Sequence, residues 1–363
     1  MSKATVALIK TRPEKVLEDT IRLFELADAP RHLSADTATI LKDNISWHYP
    51  FPSANTTPWQ LEGTILALRK HGFRDLSCVE NKTEVTRAFK GERLNRYRSV
   101  FEKHRVPVLY NFKKNDMRWI RYRPRSKMRV LNRIYKDHIR IPDYLMGKNM
   151  VHLPTVKCHI YTTTTGALKN AFGGLLNHKR HQTHTYIHET LVDLLAIQKE
   201  IHPGLFCVMD GTTAGNGTGP RIMQPVTKNV MLAGGDPVAV DAVAAKLMGF
   251  DPLKIKYIRM AHEAGLGCGD PADIEIAGDR ELAGEDWQFE VGRCFHQFAA
   301  WLTWFGPTRF LQKVFTRPPI LYLGNFYSWL YHDVLHWPFR ERKIYKKWLE
   351  ESPWGRLFAS YDQ

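Results

Sequence analysis

The chain has 363 residues, 44% of them hydrophobic, and its 52 Lys+Arg against 37 Asp+Glu leave a formal charge of +15. This length fits two globular units at ~100–200 residues each, and ten Trp with eighteen Phe exclude low-complexity disorder. The five cysteines (Cys78, Cys158, Cys207, Cys268, Cys294) lack CxxC spacing, which excludes zinc-ribbon, iron–sulfur and disulfide-framework readings and favours a reducing, cytoplasmic location.

Along the chain, Thr5–Lys10 reads as an opening strand rather than a signal peptide. Glu14–Leu26 has helical amphipathicity, and Thr37–Lys42 is a second strand. Thr57-Pro58 supplies an N-cap and a first-turn proline for a helix to Lys70. Leu76–Val79 and Val106–Tyr110 are further strands. Residues 82–140 then hold nineteen Lys/Arg against five Asp/Glu, nearly the whole positive excess. This segment reads as a surface for an anionic partner, outside the active site. The pattern restarts with strands at Met150–Lys157, Leu205–Met209, Val230–Ala233 and Ile274–Ala277, separated by helices at 184–201, 237–248 and 253–264. Such alternation implies an α/β fold with mostly parallel sheets. We expect an N-terminal lobe (1–145), a second lobe (146–280) and an aromatic-rich, mainly helical extension (281–363). Residues 291–363 carry nineteen of the 42 aromatics and either dock on the core or face something apolar. The longest uncharged stretches, 294–308 and 318–332, fall short of the ~20 residues that span a bilayer.

Four constellations carry candidate chemistry. Lys157 and His159 lead into a threonine run (Thr164 and Thr165 at its end) and then Gly166-Ala167-Leu168-Lys169-Asn170. A helix opening after a strand there offers free N–H groups to an anion; the plainer reading is a β-branched strand end with an ordinary cap. His178, His181, His184 and His188 fall at helical spacing, suited to a divalent metal, an acid/base role, an anion or simply a solvated face. Asp210-Gly211 opens a glycine-rich stretch with Gly215 and Gly217, either a ligand loop at a strand end or a flexible connection. Asp236 and Pro237 explain themselves as an N-cap and first residue, whereas Asp241 lies on a helix apolar nearly all round. It is a site carboxylate or a helix–loop clamp.

Read in order, Lys157/His159, Thr165 to Asn170 with Gly173, Asp210-Gly211 and Asp236 to Asp241 resemble the bacterial and archaeal family named domain of unknown function 362. Lys42 and Asn44 sit where that family's N-terminal Lys-x-Asn would fall. The resemblance covers roughly residues 4–280 and omits the aromatic tail. Many members carry ferredoxin-like cysteines; this chain has none, so no iron–sulfur cluster is expected. A more distant similarity is to nickel-pincer lactate racemases, in which a histidine precedes the anchoring lysine by ten positions, as His159 precedes Lys169. It implies only that Lys169 points into an active cleft.

These readings converge on an enzyme for an anionic substrate, a carboxylate, a phosphate or a lipid-like molecule. His159, Lys169, His184, Asp210 and Asp241 are the candidate catalytic residues. Lys42, Asn44, Lys157, Thr164, Thr165, Asn170, Gly215 and Gly217 are the candidate substrate contacts, and a divalent metal is left open at His159, His181, His184 and Asp241. The alternative is a membrane-surface binding protein that uses Arg118, Arg121, Arg123, Arg125, Lys127 and Arg129 with the aromatic tail. Nucleic-acid binding is a weaker third reading, because no reader motif accompanies the basic residues.

Overall fold

The computed structural model describes residues 3–83, 85–293, 298, 301–302, 304–311 and 319–361. Its strands are β1 (Ala4–Lys10), β2 (Thr39–Lys42), β3 (Leu76–Glu80), β4 (Val108–Tyr110), β5 (Trp119–Tyr122) and β6 (Ile139–Pro142) in the first part. The second part holds β7 (Asn149–His152), β8 (Thr155–His159), β9 (Thr163–Thr165), β10 (Leu205–Asn216), β11 (Gln224–Gly234) and β12 (Ile274–Gly278). The main helices are α1 (Val16–Leu26), α2 (Pro58–Lys70), α3 (Ala167–Leu175), α4 (Ile187–Ile201), α5 (Pro237–Leu247) and α6 (Lys256–Glu263). In the tail lie α7 (Ile320–Trp329), α8 (Arg342–Glu351) and α9 (Pro353–Ser360).

The fold is mixed α/β around a mostly parallel central sheet, in the order β12–β1–β11–β10–β7–β2–β3–β4, with β8 and β9 attached beside β10. Strands from both halves of the sequence enter this one sheet: β7 pairs in parallel with β2 on one side and β10 on the other. Alternation along the strands explains the layering. Val6, Leu8, Ile40, Met150, Cys207 and Leu232 face one core, with α3, α4, α5 and α6 over it. Their neighbours Ala7, Ile9, Leu41, Val151, Phe206 and Met231 face the other, beneath α1 and α2. Successive side chains of a strand point to opposite sides, so runs apolar at every position bury both faces.

Local chemistry sets the element ends. Thr57 and Gln60 form the capping box that starts α2, with Pro58 in its first turn. The expected strand Met150–Lys157 divides into β7 and β8 around Pro154, which has no N–H for a ladder. The helix expected over 184–201 begins at Ile187; residues 178–186 form a tighter 3₁₀ turn. The glycine-rich stretch is strand as far as Asn216, and only Gly217 turns with a positive φ of 101°.

The tail divides into two parts. Trp354 and Phe358 of α9 enter the second core, where the Trp354 indole donates to Asn229 at 2.7 Å and lies 5.2 Å from the Trp59 ring. Upstream, Phe298, Trp301, Phe310, Phe326 and Phe339 remain exposed. No helix among the described residues is long and apolar enough to cross a membrane.

Candidate functional site

The start of α3 is held by a carboxylate from another helix. Asp241 of α5 accepts the Ala167 and Leu168 N–H groups at 2.6 and 3.2 Å, satisfying donors that every helix N-terminus leaves open. Burial pushes its carboxyl up to about 7, against the pull of those two amides. Gly166 makes the arrangement possible, since a Cβ there would run into the Asp241 carboxylate. Asp210 plays a similar part for α2. It accepts from the Thr57 hydroxyl, the Trp59 indole at 2.9 Å and the Thr212 N–H at 2.6 Å. Both acids are buried and neither lines the main cavity.

That cavity is a cleft of about 670 Å³ at the carboxyl ends of β2, β3 and β8, where open α/β sheets commonly bind ligands. With Leu168, Ala171 and Leu175 turned into the core, α3 presents Lys169, Asn170, Phe172 and Gly173 to the cleft. Asn170 ties the two sides together: its amide donates to the Lys42 carbonyl at 2.7 Å, and its oxygen accepts from Asn44 at 3.4 Å. Among the described residues, five cations line the cleft (Lys42, Lys82, Lys169, Arg180, Arg221), against a single carboxylate, Asp43. Lys42 is paired with that carboxylate at 3.4 Å. Lys82 belongs to the basic segment, so that segment reaches the cleft rather than standing wholly apart from it.

The Lys169 amine has no hydrogen bond or ion pair among the described residues. Burial, with Arg180 and Arg221 nearby, lowers its pKa from 10.5 to about 8. Burial likewise brings Arg221 down to about 10, and Arg221 donates to Ser328 of α7 at 3.4 Å. His159 accepts the Tyr161 N–H on Nδ1 at 3.1 Å, which places the ring proton on Nε2. Desolvation, then the charge of Lys169, holds the imidazole well below the usual histidine range, so it is neutral at pH 7. Aromatic rings close one wall: His184 lies 5.8 Å from Tyr161, 5.6 Å from Phe172 and 5.1 Å from Trp304.

Lys42, Asn44, His159, Lys169, Asn170 and His184 are thus brought to one cleft. Lys157, Thr164, Thr165, Gly215 and Gly217 are not among its lining residues. Lys157 is buried behind it, bonded to Thr155 at 2.6 Å and lowered to about 7 by burial and then by Lys169. Thr164 contacts the Tyr257 hydroxyl at 3.0 Å. His184 and His188 of the histidine series do not share a face, because the 3₁₀ turn ends between them. His188 instead stacks on Tyr257, 6.2 Å away. The side chain of His181 lies outside the described residues. No three His, Cys, Asp or Glu groups among the described residues converge as a metal centre requires. Sequence reasoning passed over Asp43, Arg180 and Arg221. Arg180 was visible within the histidine run, but Arg221 carried no signal beyond following Gly219-Pro220.

The model of the domain of unknown function DUF362 matches residues 39–246. The chain belongs to this family. A thylakoid-associated protein of Synechocystis is 28% identical over 163 residues, 42% of this chain and 49% of that protein, so the match spans about half its length. No solved structure matches the chain. Nothing in these matches extends to the nickel-pincer racemases. The cationic floor of the cleft, from Lys42 to Arg221, lies inside the DUF362 segment, whereas the wall from Trp304 and α7 lies beyond it.

Proposed function

We propose that the protein is an enzyme acting on a small anionic substrate, a carboxylate or a phosphate ester, seated over Lys169 and Arg221. The observation that carries this reading is the Lys169 amine, half-buried in the cleft, beside a neutral imidazole and without a partner among the described residues. A cation so placed is stabilised when an anion arrives. The roles follow from the pKa directions. Lys169, near 8, exchanges a proton close to neutrality, as a general acid or base must. Neutral His159 presents Nε2–H to developing negative charge on the substrate. Arg221 and Arg180 hold the anion, while Asp241 fixes the helix that carries Lys169.

Thermal-shift titrations with inorganic phosphate, sulfate and citrate test the site. A ligand-dependent rise in Tm that Lys169→Ala and His159→Ala both remove is the expected result. An undiminished rise in both variants would show that the anion binds elsewhere.

A second reading is compatible with the first: a cytoplasmic protein working peripherally at a membrane. It is supported by the exposed tail aromatics and by a relative described as thylakoid-associated.

A further inference from the structure

We infer that the ligand of this cleft is an anionic amphiphile drawn from a lipid bilayer, which enters along α7. The inference rests on the anion-binding reading above and adds to it the source and chemical class of the ligand.

The first observation is α7 itself. It is apolar on nearly every side, and 318–332 contains no charged residue. Yet Tyr322, Leu323 and Phe326 are 56–64% exposed, and Trp329 is 43% exposed. A helix hydrophobic all round is ordinarily covered, and an exposed apolar cluster of this kind marks a contact surface. The helix continues through a π-helical segment, Leu330–Glu341, into α8, but its uncharged stretch ends at His332, short of the ~20 apolar residues that span the hydrocarbon, so α7 would lie along an interface.

The second observation is how α7 is anchored. On its inner side Ser328 accepts from Arg221 of the cleft. Further along the same helix, in its π-helical continuation, Asp333 accepts from the Trp47 indole at 2.7 Å and lies 3.3 Å from the neutral His48 ring. Leu323 and Tyr327 belong both to the cleft lining and to the exposed surface. One helix therefore joins outside apolar surface to inside cationic floor. A molecule that matches this gradient has an anionic head for Lys169 and Arg221 and a hydrocarbon chain for Leu323 and Tyr327.

The third observation selects a bilayer over a protein partner. Beside Leu323 and Phe326, the exposed side chains of α7 are Tyr322, Tyr327 and Trp329, whose amphipathic rings favour the headgroup level. The whole chain carries +15, which an anionic leaflet attracts.

Two measurements test this. In flotation, the protein should bind vesicles of equal phosphatidylcholine and phosphatidylglycerol, and bind pure phosphatidylcholine far less. The double variant Tyr322→Ser/Phe326→Ser should lose about tenfold or more of that binding, because each aromatic forfeits burial, while its sulfate affinity in calorimetry stays unchanged. In calorimetry without vesicles, monomeric dihexanoyl phosphatidylglycerol should bind at least tenfold more tightly than glycerol phosphate, and Leu323→Asp should erase that difference. Equal affinity for the two compounds would overturn the lipid assignment and leave the anion site standing. Unchanged vesicle binding by the double variant, or binding indifferent to lipid charge, would overturn the role of α7. Failure of sulfate, glycerol phosphate and lipid alike would remove the anion site as well.

Discussion

Sulfate binding should weaken steeply as pH rises through 8, and Lys169 should be the cause. Sulfate does not titrate in this range, so the protein alone sets the pH dependence. In the free cleft Lys169 is lowered from 10.5 to about 8. An anion in contact would return it towards the ordinary value, and that interval corresponds to about 3 kcal/mol of coupling between proton and anion. The charged form binds, so affinity is full below about 8 and is lost between there and about 10.5. From pH 7 to 9.5 the loss should be about thirtyfold, and at pH 8 each sulfate should take up about half a proton. Calorimetry at several pH values, in buffers of differing ionisation enthalpy, reads both quantities. Lys169→Met should bind sulfate roughly ten- to a hundredfold more weakly at pH 7, the range for one charge-assisted bond, and show a flat profile. A wild-type affinity constant from pH 7 to 9.5, or proton uptake retained in Lys169→Met, would refute the argument.

Stability should also respond to pH. Lys157 is held near 7 by burial, so between about 7 and 10.5 the unfolded chain binds more protons and stability rises with pH. Lys157→Met should reduce that slope by up to about 1.4 kcal/mol per pH unit in denaturant titrations. Asp210→Ala should cost about 3–5 kcal/mol in urea unfolding, since it strands two buried donors and a part-buried hydroxyl, without changing sulfate affinity in the folded protein. Gly166→Ala should lower Tm and weaken sulfate binding together, because displacing Asp241 frees the start of the helix that bears Lys169. Trp354→Ala should cost about 3–5 kcal/mol through the cavity it opens over Trp59, with vesicle binding retained once folded.

Local signals were legible in the sequence because they act within a few residues. Thr57-Pro58 wrote the start of α2, Asp236-Pro237 that of α5, and the apolar runs around Val6 and Val208 marked strands buried on both sides. The family motif likewise placed Lys42, His159, Lys169 and Asn170 in one site, and the cleft contains all four. Tertiary structure decided the rest. Asp241 read as a catalytic carboxylate because a buried acid requires partners, and Asp210 because it opens a glycine-rich stretch at a strand end; sequence cannot say that the partners are the N-terminal amides of α3 for the one, and the Thr57 hydroxyl, Trp59 indole and Thr212 N–H for the other. Helical spacing grouped His184 with His188, but a change of pitch between them sent one to the cleft and the other to Tyr257. Arg221 became a site residue only through contacts distant along the chain, and residues 320–332 became a cleft wall only when Ser328 met it. The +15 charge follows from composition alone; that Lys42, Lys169 and Arg221 meet in one cleft depends on sheet pairing that no local pattern encodes.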